Sequence, residues 1–415
     1  MITRYNETKT PNISSVTVEM SHPKFRTSCQ PGFVMRDFAL EGYFSRWQST
    51  ADHQLAASDS ETLSVTELLG MACDEDRHRW ETLRLGYTDP RGADWLRETI
   101  ADGYQTIAAE SVRCFAGAQE GIFTVMHALL GADDHAIIVT PNYQSAETIP
   151  AGICAVTGVG LDPTRGWSLD IDAVAAAVRS NTRLISINFP NNPTGKILER
   201  DRFDALIEFC RERGIWLFSD EVYRLIERDP AQRLPAVADV YERGISLGAV
   251  SKPYGLPGLR VGWIACRSAE ALQQLDRVRA YLSICNAGPS EVLAQIALRA
   301  ADRLLYRNRE IADQNLALLT RFFDRQGDLF DWHLPDGGVV GYPRYRHVEG
   351  VEAFCSRLIE QHGILLLPAS VYRSELLPTP TDRFRIGFGR RDFAAGLAAM
   401  ETALADPAKA LRRTG

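Results

Sequence analysis

Lys252 stands in AVSKPYGLPGLRVGW, just past an apolar run and ahead of a loop rich in glycine and proline. A lysine held there at a pocket floor is partly desolvated, which lowers its pKa and suits its amine to Schiff-base chemistry. One lysine proves little, because most are solvated. The phrase around it adds Arg260, eight positions on, in a tight turn between Gly258 and Gly262. Four more clusters precede it: AGAQEG at 116–121, PNYQS at 141–145, PNNPTGK at 190–196 and DEVY at 220–223. They offer Gly-rich turns, Asn, Asp and Tyr, a set that a purely structural protein has little need to gather.

The elements that must position these groups show as an alternation between about residues 90 and 270. Apolar strands are expected at Val112–Phe115, Ala136–Thr140, Leu184–Phe189, Ile215–Ser219 and Ile245–Val250, with helical patterns between them. The helix from Arg202 carries Phe203, Leu206, Ile207 and Cys210 on one face and stops at Gly214. Such alternation predicts an α/β fold with a mostly parallel sheet covered by helices on both faces. Each reactive cluster directly follows one of the five strands, and ligands of such sheets collect beyond the strands' carboxyl ends. A chain of 415 residues is too long for one ordinary core. We read a large domain over 71–295 and a smaller α+β domain formed by 1–70 and 296–415. One long helical stretch from Pro289 to about Phe323 leads into a tail of strand, helix, two strands and a helix, and Phe38, Tyr43, Phe44 and Trp47 pack on that lobe.

The phrase SKPYGLPGLRVGW resembles the lysine motif of fold-type I enzymes dependent on pyridoxal 5'-phosphate (PLP), the class I/II aminotransferase family. NNPTG and SDEVY are similar to that family's other two signatures, in the same order, and the resemblance covers roughly residues 85–390. It implies a PLP cofactor carried by Lys252 as a Schiff base, a two-lobed fold-type I transferase and an obligate homodimer. Asp220 then keeps the pyridine nitrogen protonated, although a helix cap is the plainer reading of that residue alone. Tyr223 and Asn192 donate to the phenolate oxygen of the cofactor, and Asn192 also meets the substrate carboxylate. Tyr143 matches an aromatic ring stacked on the pyridine face; otherwise it is a surface loop tyrosine. The amides of Ala118 and Gln119 open a helix and point at an anion, here the phosphate, with Ser251 and Arg260 as further partners. Tyr87, in LRLGYTDPRG, matches the tyrosine that reaches the phosphate from the neighbouring subunit. Arg385, in FRIGFG, matches the arginine that grips the substrate α-carboxylate bidentately, the alternative being an exposed strand residue.

Two departures stand out. Ala249 replaces a serine that many relatives use to bond the phosphate, a loss of about 1.5–3 kcal/mol. The N-terminal AASDSETLSVTELL is similar to the branch containing capreomycidine synthase and related enzymes acting on arginine derivatives. That likeness puts Ser58 and Glu61 near the substrate, with Glu61 meeting a basic side chain. Equally, Ser60 or Thr62 caps a helix starting near Ser64.

The expected activity is an aminotransferase passing the amino group of an L-amino acid to a 2-oxo acid, with the freed Lys252 amine as general base. The alternatives are a PLP-dependent cyclisation, elimination, replacement or oxidase reaction on a basic amino acid and, from another class, a PLP-binding regulatory domain. The polar N-terminal stretch is too short for the DNA-binding unit and linker that such a regulator requires. A net charge of -7 argues against a nucleic-acid surface. No apolar run is long enough for a membrane span, the polar first thirty residues lack a signal peptide, and eight cysteines without a CxxC pair suit a reducing cytoplasm. The dispersed histidines predict no metal. PTGK at 193–196 is not a P-loop, because Pro190 and Ile197 occupy positions that motif reserves for Gly and Ser or Thr; GVG at 158–160 lacks the third glycine of a dinucleotide turn.

Overall fold

The computed structural model describes residues 35–405. Cys29, the polar first thirty residues and the last ten residues lie outside the described residues.

Seven strands form the main sheet: β1 (Val112–Phe115), β2 (His135–Thr140), β3 (Ala155–Gly160), β4 (Thr182–Asn188), β5 (Trp216–Asp220), β6 (Gly244–Ala249) and β7 (Gly262–Cys266). Their order across the sheet is β1-β7-β6-β5-β4-β2-β3. Only β7 runs against its neighbours, β6 and β1. The chain leaves β6, passes Lys252 and turns back through Arg260 at once, so it re-enters the sheet as an antiparallel neighbour. That return keeps Lys252 and Arg260 at one end of the sheet.

Along β2 the side chains alternate between two cores, one on each face. Ala136 and Ile138 join the core built with Ile122, Val125 and Met126; Ile137 and Val139 join the core built with Leu206, Ile207 and Cys210. Both faces are therefore dry, as a parallel sheet requires. The helix Arg200–Arg213 buries Phe203, Leu206, Ile207 and Cys210, each worth about 1.5–3 kcal/mol. Gly214 ends it in the left-handed region, φ 63°.

In the C-terminal part, Phe384–Gly387 runs antiparallel to Val340–Gly341 on one side and Leu367–Pro368 on the other. The helices Val351–His362 and Phe393–Ala405 accompany it. The N-terminal segment is stitched onto this part. His53–Gln54 pairs parallel with Ile364–Leu365, and the Gly387 amide donates to the Leu55 carbonyl at 2.7 Å. A side chain at Gly387 would run into the Ala57 carbonyl, so glycine is required for the close approach. The helix Ala39–Trp47 sets Tyr43, Phe44 and Trp47, with Phe38 before it, against the cluster that contains Leu365, Leu367 and Tyr372, as expected.

Several expectations need correction. The stretch from Pro289 is two helices, Gly288–Arg299 and Ala301–Arg325, turned at Ala300 where no Gly or Pro marks the break. Neither Ser60 nor Thr62 caps the helix Val65–Leu69. Ser64 does, in a reciprocal box with Glu67, because only a residue directly before the first turn reaches its free amides. Strands β3 and β7 are additions to the five expected. Seven described cysteines are free thiols, five of them buried, and no described helix is long and apolar enough to cross a membrane.

Candidate active site

A cavity of about 470 Å³ opens beyond the carboxyl ends of the parallel strands. Asn188 ends β4, Asp220 ends β5, Ser251 and Lys252 follow β6, and Ala118 and Gln119 follow β1; all six line it. Tyr143, Asn192, Tyr223, Arg260, Arg385 and Ser58 complete the set that the structure brings together.

Lys252 Nζ donates to Ser58 Oγ at 2.9 Å and lies 5.9 Å from the centre of the Tyr223 ring. Burial pulls its amine down to about 8, and the nearby Asp59 carboxylate opposes the shift. Asp220 is buried at the end of β5, and burial pushes its carboxyl up to about 7, against the stabilising Val222 amide 3.2 Å away. The Lys252 charge opposes the shift too, but no ion pair among the described residues neutralises the carboxylate. Tyr223 donates its hydroxyl to the Ser58 carbonyl at 2.9 Å, and burial raises its pKa.

At the anion end, Gly117 precedes the helix Ala118–Leu129 with φ 89°, and a side chain there would strike the Arg260 guanidinium. Glycine thus lets the arginine lie across free helix amides. Gln119 Oε1 close by is buried without a hydrogen-bond partner. Ala249, by contrast, does not face this cavity; it lines a separate one on the other side of β6.

Arg385 is 1 % exposed. Its Nη1 donates to the Tyr372 hydroxyl at 2.6 Å and to Asn192 Oδ1 at 3.2 Å, and its Nη2 to the Ala56 carbonyl at 2.6 Å. Its Nε is buried with no partner, and no carboxylate of the described residues pairs with it. A buried guanidinium lacking a counter-ion costs several kcal/mol, so the site is built to receive an anion. The exposed-strand reading of Arg385 fails on burial.

Two expected residues are not brought to the cavity. Tyr87 is 91 % exposed and does not line the cavity of its own chain. Glu61 turns away: its Oε2 accepts from the Arg391 amide at 2.8 Å, because the extended segment ends there against the loop after Phe384–Gly387. Sequence reasoning missed Glu41, Asp59, Tyr372 and Arg390. Asp59 is ion-paired with Arg390 at 2.8 Å, and Tyr372 donates to Asn192 Oδ1 at 3.1 Å. The first arginine in FGRR was a usable signal for Arg390; nothing local marks the others. Among the described residues the one possible metal-binding group is Cys73, Glu75 and Asp76, whose carboxylates are already paired with Arg79 and Arg299.

The walls fit PLP on their own evidence. A buried acid awaits a cationic ring nitrogen, a glycine-permitted cradle of amides and Arg260 awaits a phosphate, and a lysine of lowered pKa stands between them.

Comparison with known proteins agrees. Capreomycidine synthase of Streptomyces vinaceus is 29% identical over 330 residues, spanning 78% of this chain and 82% of that one. Arginine–pyruvate transaminase of Pseudomonas aeruginosa is 31% identical over 323 residues, spanning 72% and 77%. Among solved structures, a PLP-dependent aminotransferase from Streptococcus suis superposes with TM-score 0.84 at 26% identity, covering 90% of this chain and 98% of that one. The PLP-dependent cyclase OrfR gives TM-score 0.81 at 28% identity, covering 91% and 100%. The family model for aminotransferase class I and II matches residues 62–392, and the chain belongs to that family of PLP-dependent, fold-type I enzymes.

Proposed function

We propose that this enzyme transfers the amino group of an L-amino acid to a 2-oxo acid, with Lys252 as the cofactor lysine and the general base. The observation that carries the reading is Arg385, a buried cation without a protein counter-ion, in one cavity with Lys252 and Asp220. PLP, when bound, supplies an electron sink for the bonds at the substrate α-carbon. The chain's own groups then divide the work. Asp220 would hold the ring nitrogen and keep a proton there, and Tyr223 and Asn192, which line the same cavity, would donate to the phenolate oxygen. The amides of Ala118 and Gln119, with Ser251 and Arg260, hold the phosphate. Arg385 fixes the α-carboxylate, which sets the α-C–H bond within reach of Lys252. An amine with its pKa near 8 takes and returns that proton efficiently near neutral pH.

The exposed Tyr87 supports a homodimer in which it completes the phosphate site of the partner subunit. Mixing Tyr87→Phe and Lys252→Ala chains should then restore about a quarter of wild-type activity per random mixture.

Similarity to capreomycidine synthase and to a cyclase favours one second reading, a cyclisation or elimination on the same amino-acid site. Incubation with amino acids, with and without a 2-oxo acid, separates the two. Product formation that requires the acceptor supports transfer; product formed without it supports the second reading and overturns the first.

A further inference from the structure

We infer that the substrate carries a guanidinium-type side chain and that Glu41, on the helix Ala39–Trp47, is the residue that reads it. The inference rests on the reading of the cavity as an amino-acid site. Three carboxylates line that cavity: Glu41, Asp59 and Asp220. Asp59 is neutralised by Arg390, whose Nη2 reaches both of its oxygens at 2.9 and 2.8 Å. Asp220 is buried at the end of β5 and would be taken up by the ring nitrogen of the cofactor. Glu41 has no ion-pair partner among the described residues, and its one side-chain hydrogen bond is a long one, from the Tyr143 hydroxyl at 3.4 Å. The cavity cations are similarly allotted: Lys252 and Arg260 to the cofactor, Arg385 to the α-carboxylate, Arg390 to Asp59. The unpaired charge left for the substrate side chain is therefore a single negative one.

Its surroundings suit a guanidinium. Leu40 and Phe44 of the same helix line the cavity and offer an apolar wall for methylenes. Gln54 donates its amide nitrogen to the Gln48 carbonyl at 3.2 Å, which leaves its amide oxygen as an acceptor in the same cavity. A carboxylate and an amide oxygen match the planar, many-donor fork of a guanidinium. Glu41 is also held in place. The Ala39 amide donates to Gln144 Oε1 at 2.9 Å, Gln144 Nε2 donates to the Asp37 carbonyl at 2.8 Å, and the Phe38 ring sits 5.1 Å from that of Tyr143. The start of the helix is thus clamped to the loop after β2.

L-Arginine and its uncharged isostere L-citrulline test this directly, by equilibrium titration of the holoenzyme followed in the visible spectrum of the cofactor. The wild type should bind arginine about tenfold or more tightly than citrulline. Glu41→Gln should weaken arginine to about the level of citrulline and leave citrulline unchanged. Tyr143→Phe, which removes the protein contact of Glu41, should keep the preference. Equal binding of the two amino acids by the wild type, a preference that survives Glu41→Gln, or one that is lost in Tyr143→Phe would each overturn the inference. Failure of the underlying reading looks different: no amino acid, charged or neutral, would then perturb the spectrum.

Discussion

The cavity has a floor and a roof, and they are built on different terms. The floor consists of strand ends and the turns after them, within residues 115–260, and its groups are set by a sheet whose strands β1, β2, β5, β6 and β7 are wholly buried. The roof is a nine-residue helix and an extended segment, joined to the rest by pairings with residues 363–391 and by side-chain hydrogen bonds from Gln144, Tyr223, Lys252 and Arg307. Interiors packed to crystal-like density transmit small errors, so floor positions tolerate little. The roof leaves Glu41 and Gln48 exposed where they line the cavity. On the proposed reading, the proton-transfer and cofactor groups belong to the first and the choice of substrate side chain to the second.

The harshest way to test that division is Lys252→Ala. It should lower turnover by about 10³-fold or more, on the scale of a lost general base, and abolish the visible band of the lysine-held cofactor with far-UV circular dichroism unchanged. A retained band would refute the assignment of Lys252. Asp220→Asn keeps the shape and loses the charge. We expect kcat to drop about 10²–10³-fold, the scale of a single preorganised electrostatic partner, with substrate affinity little altered. A loss confined to KM would move Asp220 from floor to roof.

Tyr372→Phe tests the seam between the two regions. It removes hydrogen bonds to Arg385 and Asn192 without touching the cofactor, and should raise KM for the amino acid about five- to thirtyfold, equivalent to about 1–2 kcal/mol. Cofactor affinity, measured by fluorescence titration, should stay constant. The smallest effect concerns pH. In the apoenzyme only the neutral Lys252 amine can attack the cofactor aldehyde, and its pKa lies near 8. Stopped-flow capture of PLP should therefore slow about tenfold per pH unit below 8 and level off above it. The same depressed pKa means that above about 8, and up to its ordinary 10.5, the unfolded chain holds a proton that the folded chain has lost, so this group's contribution to stability rises with pH.

The floor was legible in the sequence because its signals are local. A buried strand is a short apolar run, and each reactive cluster sits directly after one, so Asp220, Lys252 and Arg260 fall into place by counting. Strand β3 escaped because AVTGVG is a half-exposed edge strand with two glycines, and β7 because its direction depends on where the chain goes after Arg260. The roof was poorly legible. Ser58 lines the cavity while Glu61, three residues on, does not, and that difference is decided by the Arg391 amide, 330 positions away. Glu41 looks like any solvated helix carboxylate until Gln144 is seen to clamp its helix over the site.

The pairing of Leu55 with Gly387 has a consequence for the order in which the molecule is made. Synthesis proceeds from the N-terminus, and domains fold as units as they emerge. The strands that carry Lys252 and its neighbours are complete once residue 266 has appeared, whereas residues 53–61 must wait for partners at 363–391. Closing so long a loop is entropically slow. The strand ends that carry Lys252 and Asp220 can therefore form before Arg385 is brought over them, so the anchor for the α-carboxylate is expected to be the later part of the site to assemble.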